Sequence, residues 1–150
     1  GTIMQVKDIM QALEKLAPQQ LKEDWDNVGL QLGDPNAEVR RVLLALTPSL
    51  AVTEEAVRRQ ADLIVSHHPF IFKGVKSLRT DSAIGRMSQL CLKHDIAIYS
   101  AHTNLDIARG GVNDVLAERL GLVDVEGLAE TARKPRYKLV VLCRSAIWSR

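Results

Sequence analysis

Aromatic side chains are scarce in this sequence: two Trp, two Tyr and two Phe among 150 residues, 4% against a hydrophobic share of 46%. An aliphatic core follows, and this length suits one packed domain rather than two. Cysteine is scarcer still. Cys91 and Cys143 lack metal-type spacing and the density of a disulfide framework, so they fit a reducing interior and read as small buried hydrophobes. Neither sign of charge predominates. The 20 Lys and Arg face 18 Asp and Glu, a formal charge of +2, which gives no strong nucleic-acid signal and no bulk attraction to an anionic membrane. No apolar run approaches the roughly 20 residues of a membrane helix, and no N-terminal stretch resembles a signal peptide. A cytoplasmic protein is therefore expected. The P-loop, the Rossmann glycine fingerprint and the nucleophile elbow are all missing. Gly1, Thr2 and Ile3, ahead of Met4, read as an expression remnant.

What is present is an orderly alternation of helical and strand patterns. Val6, Ile9, Met10, Leu13 and Leu16 recur at helical spacing until Pro18. Val28, Leu30 and Leu32 alternate as a half-buried strand before a Gly-Asp-Pro turn. Residues 39–46 form a nearly continuous aliphatic run, the pattern of a strand covered on both faces. A helix beginning near Pro48 has its glutamates early and its arginines late, complementing the dipole. A second buried strand, 63–65, a helix over about 81–94 and a third strand, 96–100, follow. Gly110-Gly111 then breaks the chain before a helix that carries Val112, Val115, Leu116 and Leu120 and closes at Gly121. Strand-helix-strand succession argues for parallel pairing, so the fold class is α/β, a layered sheet, largely parallel or mixed, flanked by helices. From 130 to 136 the chain is polar and basic, a linker, and 137–142 begins a new apolar strand with little after it.

The stretch Asp62-Leu63-Ile64-Val65-Ser66-His67-His68-Pro69 places two adjacent histidines at the mouth of a buried strand, where open α/β sheets gather ligands. Adjacent residues of a strand face opposite ways, so both imidazoles can share a site only if the strand has ended, and Pro69 enforces that departure. The next strand ends in Ala101-His102-Thr103-Asn104-Leu105-Asp106, which brings His102 and Asp106 to the same edge. Imidazoles with a carboxylate make a ligand set for Zn, Mn, Fe or a similar divalent metal. The bland alternative has the histidines bonding loop backbone while Asp106 caps a turn. His102 suits a hydrogen-bonding role behind a ligand better than a ligand itself, and His94 suits a helix C-terminus. Lys73, Lys76 and Arg79 offer either an anion-binding group or a solvated basic loop. Asp24, Asp26 and Asn27 could support the site, and turn formation is the preferred reading.

Three stretches together resemble the Nif-three-like family, also called GTP cyclohydrolase 1 type 2 homologues: Asp24-Trp25-Asp26-Asn27-Val28-Gly29-Leu30-Gln31-Leu32-Gly33, residues 62–72, and Ser100-Ala101-His102-Thr103-Asn104-Leu105-Asp106. The resemblance covers about residues 4–138. It implies a metal-binding α/β protein assembling as a homohexameric ring, with two divalent metals per subunit. Carried over residue by residue, it makes His67, His68 and Asp106 metal ligands. The family's later His and Glu ligands have no counterpart before Arg150, and Thr47 stands where the family usually has an aspartate. One weakly held metal, or none, is therefore expected here. Residues 4–130 correspond to the N-terminal half of the family's domain, and 131–150 to a linker, the start of an inserted domain and an atypical tail. A C-terminally truncated chain is the expectation, with apolar surface left open to self-association. The resemblance implies either a metal-dependent hydrolase for an anionic or nucleotide-like substrate, or a non-catalytic ring-forming scaffold that binds protein partners.

Overall fold

Three helices flank the strands because their apolar faces and caps match the sequence periodicity. A computed structural model describes residues 3–127. The 131–150 segment, with its anticipated strand and Cys143, lies outside the described residues. Helix α1 (Val6–Leu16) opens where the Asp8 carboxylate accepts from the Gln5 amide at 2.8 Å, and it stops just before Pro18. Helix α2 (Leu50–Arg58) is capped by Ser49, whose Oγ accepts from the Val52 amide. Helix α3 (Ala83–Lys93) is capped in the same way by Ser82 and the Gly85 amide. Each such cap is worth about 1 kcal/mol.

Strands β1 (Gly29–Leu32), β2 (Val42–Ala45), β3 (Leu63–Ser66) and β4 (Ala97–Ser100) form one sheet in the order β1-β4-β3-β2. The expectation of parallel pairing holds for β2 with β3 and for β3 with β4, whereas β1 runs antiparallel to β4. Ser66 lies level with Ser100 in the β3–β4 register, so the two histidine-bearing loops leave the sheet at the same height. The antiparallel β1 starts at that edge too, since Gly29 pairs with Ser100. One strand reversal thus brings residues 24–28 to the ends of the parallel strands.

The two faces of the sheet are covered differently. Ile64 and Ile98 pack with Ala56, Cys91, Ile96 and Phe70 beneath α2 and α3. Leu63, Ala97 and Tyr99 face the other way, against Val6 and the α1 side chains Ile9, Met10 and Leu13. Buried aliphatic side chains of this size each contribute about 1.5–3 kcal/mol. Strand β2 departs from expectation: it is an edge strand whose Leu43 and Ala45 pack on the first cluster while Leu44 stays 75% exposed. Its aliphatic run had suggested cover on both faces, but α1 lies over β3 and β4 and leaves Val42 and Leu44 open.

The chain beyond β4 is more helical than expected. A short helix, α4 (Thr103–Ile107), takes up the residues read as a loop, and α5 (Val112–Arg119) follows. Gly121 sits at φ +67° past the end of α5, the left-handed position that favours glycine, and closes it with bonds from its own amide to Glu118 and from Leu122 to Ala117. Among the described residues no helix is long and apolar enough to cross a membrane.

Candidate metal centre

The backbone holds the histidines before their side chains are considered. Pairing continues past β3, with the His67 amide donating to Ala45 O at 3.2 Å and the His68 amide to Leu46 O at 2.9 Å. Beneath them Ser66 Oγ donates to His68 O at 2.9 Å and lies 3.0 Å from Ser100 Oγ, a buried hydroxyl pair that sets the turn. On the neighbouring loop, Asn104 Oδ1 accepts from the His102 amide at 2.9 Å while its Nδ2 donates to Ala17 O at 2.8 Å. Asn104 is fully buried, so His102 is tied to the end of α1 as well as to β4.

One ring nitrogen from each of His67, His68 and His102 lies within 4.8 Å of the other two. The opposite sides of the rings are occupied. His67 Nδ1 is 2.9 Å from Ala101 O, and since a carbonyl only accepts, this nitrogen carries the proton. His102 Nδ1 is 3.0 Å from Asp26 Oδ1, which fixes the same tautomer by donation to a carboxylate. His68 Nδ1 is 2.7 Å from Thr47 Oγ1, a hydroxyl able to accept the equivalent proton. His67 and His102, with Nδ1 donating to a carbonyl and a carboxylate, keep Nε2 for a ligand, and His68 does the same when its Nδ1 donates to Thr47 Oγ1. This is how histidines are prepared for a divalent metal. The donor set fits a borderline ion such as zinc, which takes imidazole nitrogen and carboxylate oxygen together.

Asp106 stands beside this group. Its Oδ1 is 3.4 Å from His67 Nε2, outside the three-nitrogen cluster yet next to it, and its place on α4 is set by its amide donating to His102 O. The structure thus brings His67 and His68 together as the sequence suggested and adds the His102 ring to them. Thr47 takes a place behind His68.

Asp26 is the functional residue that sequence reasoning undervalued. Its carboxylate accepts four hydrogen bonds: Oδ1 from His102 Nδ1 and the Asn27 amide, Oδ2 from the Thr103 amide at 3.0 Å and Thr103 Oγ1 at 2.5 Å. Thr103 Oγ1 in turn accepts from the Glu23 amide at 2.9 Å. Burial pushes the Asp26 carboxyl up, but the bonds from His102, Thr103 and Asn27 outweigh it and hold it below its ordinary value. The turn falls at Asp24 and Trp25; Asn27 instead donates from Nδ2 to Ile71 O, and Asp26 is a buried anion locking two loops. An Asp-X-Asp run before a strand was the available signal.

The basic loop is less involved. Lys73, Lys76 and Arg79 are exposed, and Arg79 holds Asp81 through two bonds of 2.6 and 3.0 Å at the approach to α3. His94 is exposed at the C-terminal cap of α3, as expected.

A mixed sheet that gathers three oriented imidazoles at its parallel strand ends defines an α/β protein with a histidine centre able to hold a metal ion. The chain belongs to the DUF34/NIF3 (NGG1p interacting factor 3) family, whose sequence profile matches residues 4–146. It is 47% identical over 133 residues to the GTP cyclohydrolase 1 type 2 homolog of Halalkalibacterium halodurans, covering 89% of this chain and 36% of that protein. The Bacillus subtilis protein of the same name is 45% identical over 135 residues, with 90% and 36% covered. Among solved structures, a Bacillus cereus protein related to NIF3 superposes with a TM-score of 0.83 at 45% identity, covering 88% of this chain and 36% of its own. Reduced HcgD from Methanocaldococcus jannaschii gives a TM-score of 0.81 at 35% identity, with 87% and 52% covered. The chain spans just over a third of the length of its curated relatives.

Proposed function

We propose that this chain carries a divalent-metal site formed by His67, His68 and His102 with Asp106 alongside, and that it serves a cytoplasmic metal-dependent hydrolase acting on an anionic or nucleotide-like substrate. The observation that carries this reading is that one ring nitrogen from each of His67, His68 and His102 lies within 4.8 Å of the other two, while each Nδ1 has a partner behind it. When bound, a metal supplies Lewis acidity and lowers the pKa of coordinated water toward about 7. The chain's own residues do the rest. Asp26 holds the His102 tautomer, Ala101 O holds that of His67, and Thr47 orients His68. Asp106 is close enough to His67 Nε2 to share a metal or to accept a proton beside it. The relatives' name, GTP cyclohydrolase 1 type 2 homolog, agrees with a substrate attacked by activated water. Lys73 and Lys76 are proposed to attract its anionic group.

A second reading, a ring-forming scaffold that assembles with copies of itself and with protein partners, draws on the open apolar face of β2 at Val42 and Leu44. One experiment separates the two. Zinc- and manganese-loaded chain is screened against phosphate esters and purine nucleotides, with the metal-stripped chain as control. Turnover that needs metal and disappears in His67→Ala supports the hydrolase. Metal retention without turnover, together with a concentration-dependent oligomer, supports the scaffold.

A further inference from the structure

Beside the histidine centre stand two aromatic rings that the metal site does not use. Trp25 is 60% exposed and Phe72 49% exposed, although both are large apolar groups in a chain with few aromatics. Their ring centroids are 6.0 Å apart at an interplanar angle of 68°. The Trp25 indole also lies 6.2 Å from the His102 imidazole at 77°, so the pair reaches the centre directly. The rings come from two loops distant in sequence, and those loops are clamped together. Asn27 Nδ2 donates to Ile71 O at 2.6 Å, the Ile71 amide donates to Gln31 Oε1 at 2.7 Å, and Gln31 Nε2 donates to Asn27 O at 2.9 Å. The clamp ties the backbone within two residues of each ring. The exposed Lys73 and Lys76 follow Phe72 on the same loop.

We propose that Trp25 and Phe72 form a stacking platform that holds a planar heteroaromatic ring bearing an anionic group against the three-histidine centre. An edge-to-face pair leaves aromatic faces open to water, and such a face accepts a flat ring in offset stacking. A metal held by the adjacent imidazoles would supply Lewis acidity beside the edge of that ring, and the lysines would attract its anion. A second copy of the chain is the competing occupant. The platform favours the small ligand because its immediate neighbour is a set of clustered ring nitrogens, whereas open apolar side chains suited to self-association lie on β2 and α5.

This inference rests on the metal-site reading for its orientation, and the test keeps the two apart. Zinc-loaded full chain carrying Trp148→Phe, so that indole emission reports Trp25, is titrated with GMP and with ribose 5-phosphate. The two probes share sugar and phosphate, and only GMP has the ring. GMP is expected to quench Trp25 emission and to bind at least about tenfold more tightly than ribose 5-phosphate. By calorimetry, Trp25→Leu and Phe72→Leu are each expected to weaken GMP about 5- to 150-fold, the span seen when stacking aromatics are removed. Neither substitution should move zinc affinity or ribose 5-phosphate binding. Equal affinity for the two probes, or GMP binding indifferent to both substitutions, overturns the platform. So does a Trp25→Leu chain whose sedimentation mass changes while its GMP affinity does not. If zinc is not retained but GMP still quenches Trp25 in a Phe72-dependent way, the platform stands and the metal reading fails. If zinc is retained and GMP ignores both rings, the platform alone fails.

Discussion

Replacing Asp26 by Asn removes one charge and converts one of two acceptor oxygens into a donor, at a site where all four partners donate. The carboxylate faces His102 Nδ1 and the Asn27 amide on one side, and the Thr103 amide and hydroxyl on the other. An amide nitrogen turned toward Thr103 meets a backbone N–H and strands it in a buried position, at a cost of about 1–3 kcal/mol. Turned toward His102, it pushes the proton to Nε2 and removes the lone pair offered to the metal. In either orientation the remaining bonds lose their charge assistance, so the metal-free chain is expected to lose roughly 2–4 kcal/mol. Zinc affinity is expected to fall about 10- to 100-fold, the usual effect of losing a carboxylate behind a histidine ligand. Urea unfolding in the presence of EDTA reads the first quantity, and competition with a chromophoric chelator reads the second. An Asp26→Asn chain as stable as its parent in EDTA and binding zinc within twofold would refute the role assigned to this anion.

Two further outcomes follow from packing and burial. A Cβ at Gly111 would sit 1.9 Å from Leu105 O and 2.7 Å from Ala108 O, so Gly111→Ala must shift the α4–α5 junction and lower Tm by several degrees, about 1–3 kcal/mol. Gly74→Ala, with nothing within 4 Å of its Cβ, is the control, and equal Tm values for the two variants would contradict the junction geometry. Burial pushes the Cys91 thiol from the ordinary 9.0 up to about 11. A raised folded-state pKa means stability that is fully present below pH 9 and is lost as pH rises through 11, by roughly 3 kcal/mol. Guanidinium unfolding at pH 8 and pH 10.5 should show a steeper loss for the parent than for Cys91→Ala, and matched slopes would count against the buried thiol.

Much of this arrangement was legible because local pattern and tertiary structure agree. The helical spacing of Val6, Ile9, Met10 and Leu13 yields α1, and the abrupt end of an aliphatic run at His67 and His68 marks a strand mouth. Two features were not legible because they depend on contacts over long sequence distance. Asp26 bonds to residues 76 and 77 positions away, a contact created by the antiparallel entry of β1. The exposure of β2 depends on where α1 lies across the sheet, which the aliphatic run of β2 does not encode. The short α4 escaped notice for a local reason: five residues are too few to display a helical period.

Whether His67, His68 and His102 share one ion is read by X-ray absorption at the zinc edge of the stoichiometrically loaded chain. The expected inner shell is dominated by nitrogen at about 2.0 Å, with the multiple scattering of about three imidazoles. His102→Ala is expected to lose one imidazole from that shell. A zinc environment of oxygen donors without imidazole scattering, or one unchanged by His102→Ala, would contradict a shared ion.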